Sequence, residues 1–152
     1  MKLWLLRHGE AEPRARSDAE RALTERGRLE TRASAAHLAD VRSILASPLV
    51  RAQQTAALAG EILAFAGEIQ TVPWATPDSD PLAAMRYLDR FEGESVLLVS
   101  HMPFIGELGG LLVHGHRRDP LSMRTGSLAE LDGEAMAAGL MRLASLRHPR
   151  PV

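Results

Sequence analysis

Short apolar runs alternate with amphipathic segments along most of the chain. Residues 2–6 (KLWLL) and 95–100 (SVLLVS) are nearly continuous apolar runs, which is typical of strands that are buried on both faces of a sheet. Shorter runs at 43–46 and 69–72 predict two more such strands. Between the strands, apolar residues recur at helical spacing. The pattern therefore predicts an α/β domain with a mostly parallel sheet.

Four helices are predicted from their capping residues and apolar faces. Their expected starts, in chain order, are Thr24, Ser47-Pro48, Asp80-Pro81 and Pro103. The first helix should run to about Ala39, with Leu29, Ala33 and Ala36 along its buried side. The third should end at Gly93-Glu94.

Two further strands are predicted at 127–131 and 140–146, and the short Gly133–Gly139 connection makes them antiparallel to each other. The whole pattern predicts a three-layer α/β/α fold. Its six-stranded mixed sheet should be mostly parallel, with one antiparallel strand near the C-terminus. We expect residues 1–146 to form a single domain and 147–152 to form a short tail.

Composition narrows the classes of function. The chain has 152 residues, with 18 Lys and Arg against 19 Asp and Glu, so its net charge of −1 gives no bulk attraction for nucleic acid or acidic membranes. It contains no cysteine, which excludes disulfides, thiolate catalysis and cysteine-based metal sites. The apolar runs are too short for a membrane span or a signal peptide. We therefore expect a cytoplasmic protein with neither a nucleic-acid nor a membrane partner.

Polar residues suited to catalysis or ligand binding lie where the predicted strands end. Arg7-His8-Gly9 ends the first strand, and His101 follows the strand at 95–100. Arg51 falls in the first turn of the helix that follows the strand at 43–46. Ligands of mostly parallel sheets bind beyond the carboxyl ends of the strands. Two arginines and two histidines at that edge favour an anionic, phosphate-like ligand.

Four segments in the same order also resemble a known family. They are Arg7-His8-Gly9, Leu23–Gly27 (LTERG), Ser47–Thr55 (SPLVRAQQT) and Val99–Pro103 (VSHMP). The chain resembles the histidine phosphatase (phosphoglycerate mutase-like) superfamily and, within it, the short SixA-type phosphohistidine phosphatases. The resemblance covers about residues 2–146 and implies a phosphoglycerate mutase-like fold and phosphatase activity.

The resemblance implies that His8 is the nucleophile and is phosphorylated during turnover, with Arg7, Arg51 and His101 as the other catalytic residues. These side chains suit phosphoryl transfer, because its transition state needs positioning and neutralisation of negative charge. His8 must present an unprotonated nitrogen while its other nitrogen donates to a backbone carbonyl near Gly9. His101, as a donor, is best served by its protonated form. Opposed protonation needs predict a bell-shaped pH–rate profile.

Three further residues are expected to bind substrate. Gly9 allows close approach of the backbone, Glu10 lies near enough to shape the site, and Arg21 matches a position of the phosphate pocket. A salt bridge between Arg21 and Asp18 is an equally good interpretation of that arginine. We expect no cofactor and no metal, because this chemistry needs neither.

One difference from the family narrows the class of substrate that we expect. Larger members carry a carboxylate proton donor after the second arginine, whereas this chain offers only Asp78 and Asp80 there. The missing acid favours phosphohistidine, whose P–N bond needs less proton assistance than an ester. The expected function is a monomeric, metal-independent phosphatase acting on a phosphorylated histidine of a phosphorelay or phosphotransfer protein. The alternatives are a phosphomonoesterase on a small metabolite, with Asp78 or Asp80 as general acid, and a phosphoprotein-binding module without turnover.

Overall fold

The computed structural model describes residues 1–91 and 94–150. Within these ranges, six strands form one sheet with helices on both faces. The strands are β1 Lys2–Arg7, β2 Ser43–Ala46, β3 Ile69–Thr71, β4 Ser95–Ser100, β5 Leu128–Gly133 and β6 Met141–Arg147. The helices are α1 Glu25–Ala35, α2 Val50–Leu63, α3 Pro81–Leu88 and α4 Phe104–His114.

The sheet has the strand order β3-β2-β4-β1-β5-β6. Strands β1 and β4, β4 and β2, and β2 and β3 pair in parallel. Strand β5 pairs antiparallel with both β1 and β6, so it is the one reversed strand of the sheet. The predicted three-layer α/β/α fold and its mixed, mostly parallel sheet are confirmed.

Successive residues of β1 belong to the two different cores of the domain. Leu3 and Leu5 pack with residues of α3 and α4 on one face of the sheet. Trp4 and Leu6 pack with α2 residues on the other face. Since side chains alternate across a strand, a continuous apolar run is what a sheet covered on both faces requires. Polar side chains can therefore follow only beyond Arg7, at the carboxyl edge of the sheet.

The prediction for the first helix is correct at its start and wrong for its buried face. Thr24 is the N-cap, and its hydroxyl accepts from the Gly27 backbone N–H at 3.0 Å. The helix ends at Ala35, and Leu29 is 39% exposed. The buried residues are Gly27, Glu30, Thr31, Ser34 and Ala35. The face is polar because it packs on the polar turns around the strand ends, where backbone groups need partners.

The second helix begins later than its capping signal predicts. Leu49 is the N-cap and Val50 the first helical residue, so Ser47 does not cap the helix through its side chain. Arg51 nevertheless lies in the first turn, as expected. Ala52 and Ala56 are fully buried, which confirms the predicted inner face over its first two turns.

Arg147 and His148, at the start of the predicted tail, are held by the sheet. Strand β6 includes Arg147, and His148 Nδ1 lies 2.7 Å from the Ser127 hydroxyl. A side-chain hydrogen bond to β5's leading turn therefore holds the chain beyond the strand. Gly93, where we expected the third helix to end, lies outside the described residues. No helix in the part of the chain that the structure describes is long and apolar enough to cross a membrane.

Candidate active site

The candidate site lies at the carboxyl ends of three neighbouring strands. In the sheet, β4 lies between β2 and β1, so the residues that follow these strands meet. The His8 N–H donates to the Ser100 carbonyl at 3.0 Å, and the Ser47 N–H donates to the Val99 carbonyl at 3.1 Å. The sheet's own hydrogen bonds thus continue past the strand ends and position His8, Ser47 and His101 beside one another.

A cavity of about 360 Å³ opens at this edge of the sheet. Six of the seven predicted site residues line it: Arg7, His8, Glu10, Arg21, Arg51 and His101. Gly9 is buried behind His8 and is not part of the lining. Asp18, Pro77, Met102 and Thr125 complete parts of the wall.

His8 is held in one orientation by two contacts. Its Nδ1 lies 2.7 Å from the Gly9 carbonyl oxygen, and Arg51 Nε donates to its Nε2 at 3.3 Å. Because Nε2 accepts from Arg51, the ring proton sits on Nδ1 and donates to the Gly9 carbonyl. Burial lowers the pKa of His8 to about 4, with Arg51 and Arg7 adding to the effect and the Gly9 bond opposing it. The ring therefore presents an unprotonated Nε2 at neutral pH.

The two arginines flank His8 and are each fixed by backbone oxygens. Arg7 Nη1 donates to the Met123 carbonyl at 2.8 Å, and Arg51 Nη1 donates to the Asp18 carbonyl at 2.8 Å. Arg51 is only 5% exposed. Arg7 Nε is buried and has no hydrogen-bond partner among the described residues. An anion in the cavity would be bound by hydrogen-bond donors that the protein already holds in position.

Asp18 forms salt bridges with both Arg21 and Arg51 in the cavity wall. Its carboxylate lies 3.1 Å from Arg51 Nη2 and 2.9 Å from Arg21 Nη1. The hydrogen bonds from Arg21 and Arg51 lower the pKa of the Asp18 carboxyl. Both interpretations of Arg21 thus hold together: it lines the cavity and it forms the salt bridge with Asp18.

His101 lies against His8, with 5.0 Å between the ring centroids. It is 1% exposed, and its Nε2 is 2.7 Å from the Ser47 hydroxyl. Burial lowers the pKa of His101 to about 3, and the neighbouring His8 and Arg51 add to the effect. The expected protonated donor is therefore wrong, because charging a buried imidazole beside two arginines is unfavourable.

Two glycines bring α1 against the turn that follows β1. A Cβ on Gly9 would collide with the Gly27 carbonyl oxygen, and a Cβ on Gly27 would lie 2.8 Å from the Glu10 nitrogen. The Gly9 N–H donates to the Thr55 hydroxyl of α2 at 3.2 Å. Gly9 thus shapes the site by orienting His8. The close packing also explains why a glycine stands in the first turn of α1.

Sequence reasoning missed two buried residues of the site. Glu30 is 5% exposed, and it accepts from the Glu10 N–H at 2.7 Å and from the Thr125 hydroxyl at 3.1 Å. It joins two segments of the cavity wall, but a lone glutamate in a helix carries no such signal. Ser47 could have been found, since it follows a strand end as His8 and His101 do.

The two aspartates considered as general acids point elsewhere. The Asp80 carboxylate accepts from the Leu82 N–H at 3.0 Å and caps α3. The Asp78 carboxylate accepts from the Thr76 hydroxyl at 3.2 Å. Neither residue is part of the cavity lining, although Pro77, which precedes Asp78, is.

Known proteins resemble this chain in sequence and in structure. Residues 3–73 match the histidine phosphatase superfamily (branch 1). Phosphohistidine phosphatase SixA of Escherichia coli (strain K12) is 34% identical over 122 residues, which cover 76% of each chain. The SixA homolog of Haemophilus influenzae is 33% identical over 145 residues, covering 86% of this chain and 87% of the homolog. The protein histidine phosphatase SixA complexed with tungstate superposes with a TM-score of 0.89 at 29% identity, over 98% of this chain and 97% of that one.

Proposed function

The chain belongs to the histidine phosphatase superfamily, in its SixA-type branch, and from that membership we propose that it removes the phosphoryl group from phosphohistidine on a phosphorelay or phosphotransfer protein. The observation that carries the proposal is the state of His8. Its Nε2 is unprotonated and lies between two arginines, while its Nδ1–H is held by the Gly9 carbonyl. This is the arrangement a nitrogen nucleophile needs to attack a phosphoryl group.

The reaction proceeds in two displacements at phosphorus. The lone pair of His8 Nε2 forms a bond to phosphorus as the P–N bond of the substrate breaks, and the electron pair of that bond leaves with the substrate imidazole. The His8 ring becomes cationic, and the Nδ1–H bond to the Gly9 carbonyl stabilises that charge. Water then attacks phosphorus as the bond from phosphorus to Nε2 breaks, inorganic phosphate departs with the protons of that water, and His8 recovers its lone pair.

Arg7 and Arg51 neutralise the charge on the phosphoryl oxygens, and His101 donates a hydrogen bond to one of them. Their donors are preorganised by the protein, so they need little reorganisation during the reaction. Arg51 Nε, which donates to His8 Nε2 at 3.3 Å, is close enough to that nitrogen to donate instead to a phosphoryl oxygen bound there. Removal of one such donor typically costs about 100-fold to 1000-fold in kcat.

The carboxylates of the cavity support a P–N rather than a P–O substrate. The pKa of the Asp18 carboxyl is lowered by Arg21 and Arg51, so this group is ionised at neutral pH and has no proton to give. The Glu10 carboxylate accepts from the Thr24 hydroxyl at 3.0 Å. The alkoxide that leaves from a phosphate ester needs a proton from a general acid. The imidazole of phosphohistidine needs less proton assistance, because it leaves as a neutral ring when its other nitrogen is protonated or hydrogen-bonded.

The surroundings of the cavity favour a protein substrate. Asp18 lines the cavity, and residues 12–20, the segment to which it belongs, are all exposed, so the cavity opens beside a broad exposed surface. A phosphohistidine side chain is long enough to reach His8 from a partner's surface. We therefore propose that a folded protein presents it.

The test compares two substrates and one double variant. The substrates are a histidine phosphotransfer domain, phosphorylated chemically with phosphoramidate, and an aryl phosphate ester. Asp78→Asn with Asp80→Asn keeps the helix cap, since asparagine also caps, and removes both acids. We expect faster hydrolysis of phosphohistidine than of the ester, with neither rate changed by the double variant. Preference for the ester, with its rate lost in the double variant, would instead establish the phosphomonoesterase.

A further inference from the structure

Ser47 is fully buried at the carboxyl end of β2, and its hydroxyl makes two contacts. The Leu49 backbone N–H donates to Oγ at 3.2 Å. His101 Nε2 lies 2.7 Å from the same oxygen. The position follows directly from the sheet, because the Ser47 N–H continues the β2–β4 ladder by donating to Val99. Ser47 is thus a rigid neighbour of His101.

The hydrogen bonds of the Ser47 hydroxyl decide which nitrogen of His101 is protonated. Oγ already accepts from Leu49, so its own proton is available for the one acceptor within reach, His101 Nε2. The imidazole proton then sits on Nδ1. In the opposite tautomer, Nε2–H would donate to Oγ, and the buried Ser47 proton would have no acceptor among the described residues, at a cost of about 1–3 kcal/mol.

The other nitrogen of His101 has the surroundings of a ligand-binding donor. Nδ1 is buried and has no hydrogen-bond partner among residues 1–91 and 94–150. The residue lines the cavity together with His8, Arg7 and Arg51. A lone pair at Nδ1 would repel a phosphoryl oxygen placed there, whereas an N–H would bind it.

We propose that Ser47 is a positioning residue that holds His101 as the neutral Nδ1–H tautomer, so that His101 donates to a phosphoryl oxygen without being protonated. The inference rests on the proposed function in that a phosphoryl group occupies the cavity. It also reconciles a buried imidazole, whose pKa Arg7, Arg51 and His8 lower and Asp18 raises, with a donor role at neutral pH. His101 needs no second proton to donate.

The tautomer can be measured without substrate, from the ¹⁵N shifts of the imidazole nitrogens at pH 7. His101 is assigned by the signals lost in His101→Asn. We expect a protonated Nδ1 and an unprotonated Nε2 in the wild type, and a shift of the proton toward Nε2 in Ser47→Ala. Ser100→Ala is the matched control, because it removes a buried serine hydroxyl that donates to the Ala75 carbonyl at 2.5 Å and leaves Ser47 in place. Its His101 signals should match the wild type.

Turnover provides the second readout. Ser47→Ala should lower kcat/KM by roughly 10-fold to 100-fold, the range found when a residue that orients a metal-binding histidine is removed. Ser100→Ala should stay near the wild type. A wild-type His101 protonated on Nε2 or on both nitrogens would overturn the proposal, as would an unchanged spectrum in Ser47→Ala. Because these spectra need no turnover, a failure of the proposed phosphatase function would show separately, as a chain with the expected tautomer and no activity on phosphohistidine.

Discussion

At the scale of single residues, the site combines two buried imidazoles with the buried guanidinium group of Arg51 and the half-buried one of Arg7. His8 is 6% exposed and has a pKa of about 4, while His101 has a pKa of about 3. Desolvation and the arginines act in the same direction on both rings. The same burial that keeps His8 Nε2 free for attack therefore makes the folded state sensitive to acid.

The sign of this effect follows from linkage. An unfolded histidine takes up its proton near pH 6.5, whereas folded His8 remains neutral until about pH 4. The unfolded state thus binds more protons between these values, so the contribution of His8 to stability is complete above pH 6.5 and is lost as the pH falls toward 4. From pH 7 to pH 5 this group alone should lower the free energy of unfolding by about 2 kcal/mol.

Urea unfolding at pH 7 and pH 5 measures that difference. His8→Asn removes the titrating group and should lose about 2 kcal/mol less than the wild type between the two pH values. His37→Asn is the control, since His37 is exposed, and it should keep the wild-type pH dependence. Equal pH dependence in the wild type and in His8→Asn would contradict the low pKa of His8.

The residue types at the site and the unprotonated nitrogen of His8 could be predicted from the sequence, but the protonation of His101 could not. Arg7-His8-Gly9 and His101 stand at strand ends, and that placement is visible in the apolar pattern. The pKa of His101 depends on burial and on the approach of His8 and Arg51 from other segments. Those distances exist only in the folded chain, so the sequence alone led to the incorrect expectation of a protonated His101.

At the scale of the elements, the contact between α1 and the turn after β1 has no room for an added side chain at Gly9 or Gly27. Gly9 and Gly27 face each other, and each approaches backbone atoms of the other segment. Glu30, one turn further along α1, accepts the Glu10 N–H and the Thr125 hydroxyl. The helix therefore positions two walls of the cavity through backbone contacts and one buried carboxylate.

Alanine substitution at two glycines should give opposite effects. Gly27→Ala forces a Cβ against the Glu10 backbone, which cannot move like a side chain, so we expect a loss of about 1–3 kcal/mol in stability together with lower activity. Gly60→Ala in α2 meets nothing closer than 3.7 Å and should stabilise the protein by about 0.5–1 kcal/mol, with activity unchanged. Thermal unfolding and phosphohistidine hydrolysis measure both. A Gly27→Ala protein as stable and active as the wild type would show that the close approach is not required.

The errors at element scale have one cause. Periodicity identifies the side of a helix that packs on an apolar core, so Leu29 was expected inside and Glu30 was overlooked. Similarly, Ser47 has the sequence features of an N-cap, yet its hydroxyl is turned to His101. Polar groups buried around a site follow local hydrogen bonding rather than the apolar repeat, and their partners come from distant segments.

At the scale of the whole molecule, the order of the strands creates the site. The alternation of strands and helices predicts the fold class, since a parallel sheet covered on both faces needs continuous apolar strands. It does not specify that β4 inserts between β1 and β2, which brings residues 8, 101 and 47 to adjacent strand ends. That neighbourhood could be expected from the family resemblance, and it turns four separate motifs into one cavity.

The central claim is that His8 carries the phosphoryl group during turnover, and trapping it is the most direct measurement. The wild type, His8→Ala and His37→Ala are mixed with a ³²P-phosphohistidine protein, quenched in alkali and digested for mass spectrometry. We predict a phosphate on His8 that is stable in alkali and lost in acid, in the wild type and His37→Ala. His8→Ala should carry no label and should lose at least about 1000-fold in kcat. An unlabelled wild type, together with undiminished turnover in His8→Ala, would contradict the mechanism.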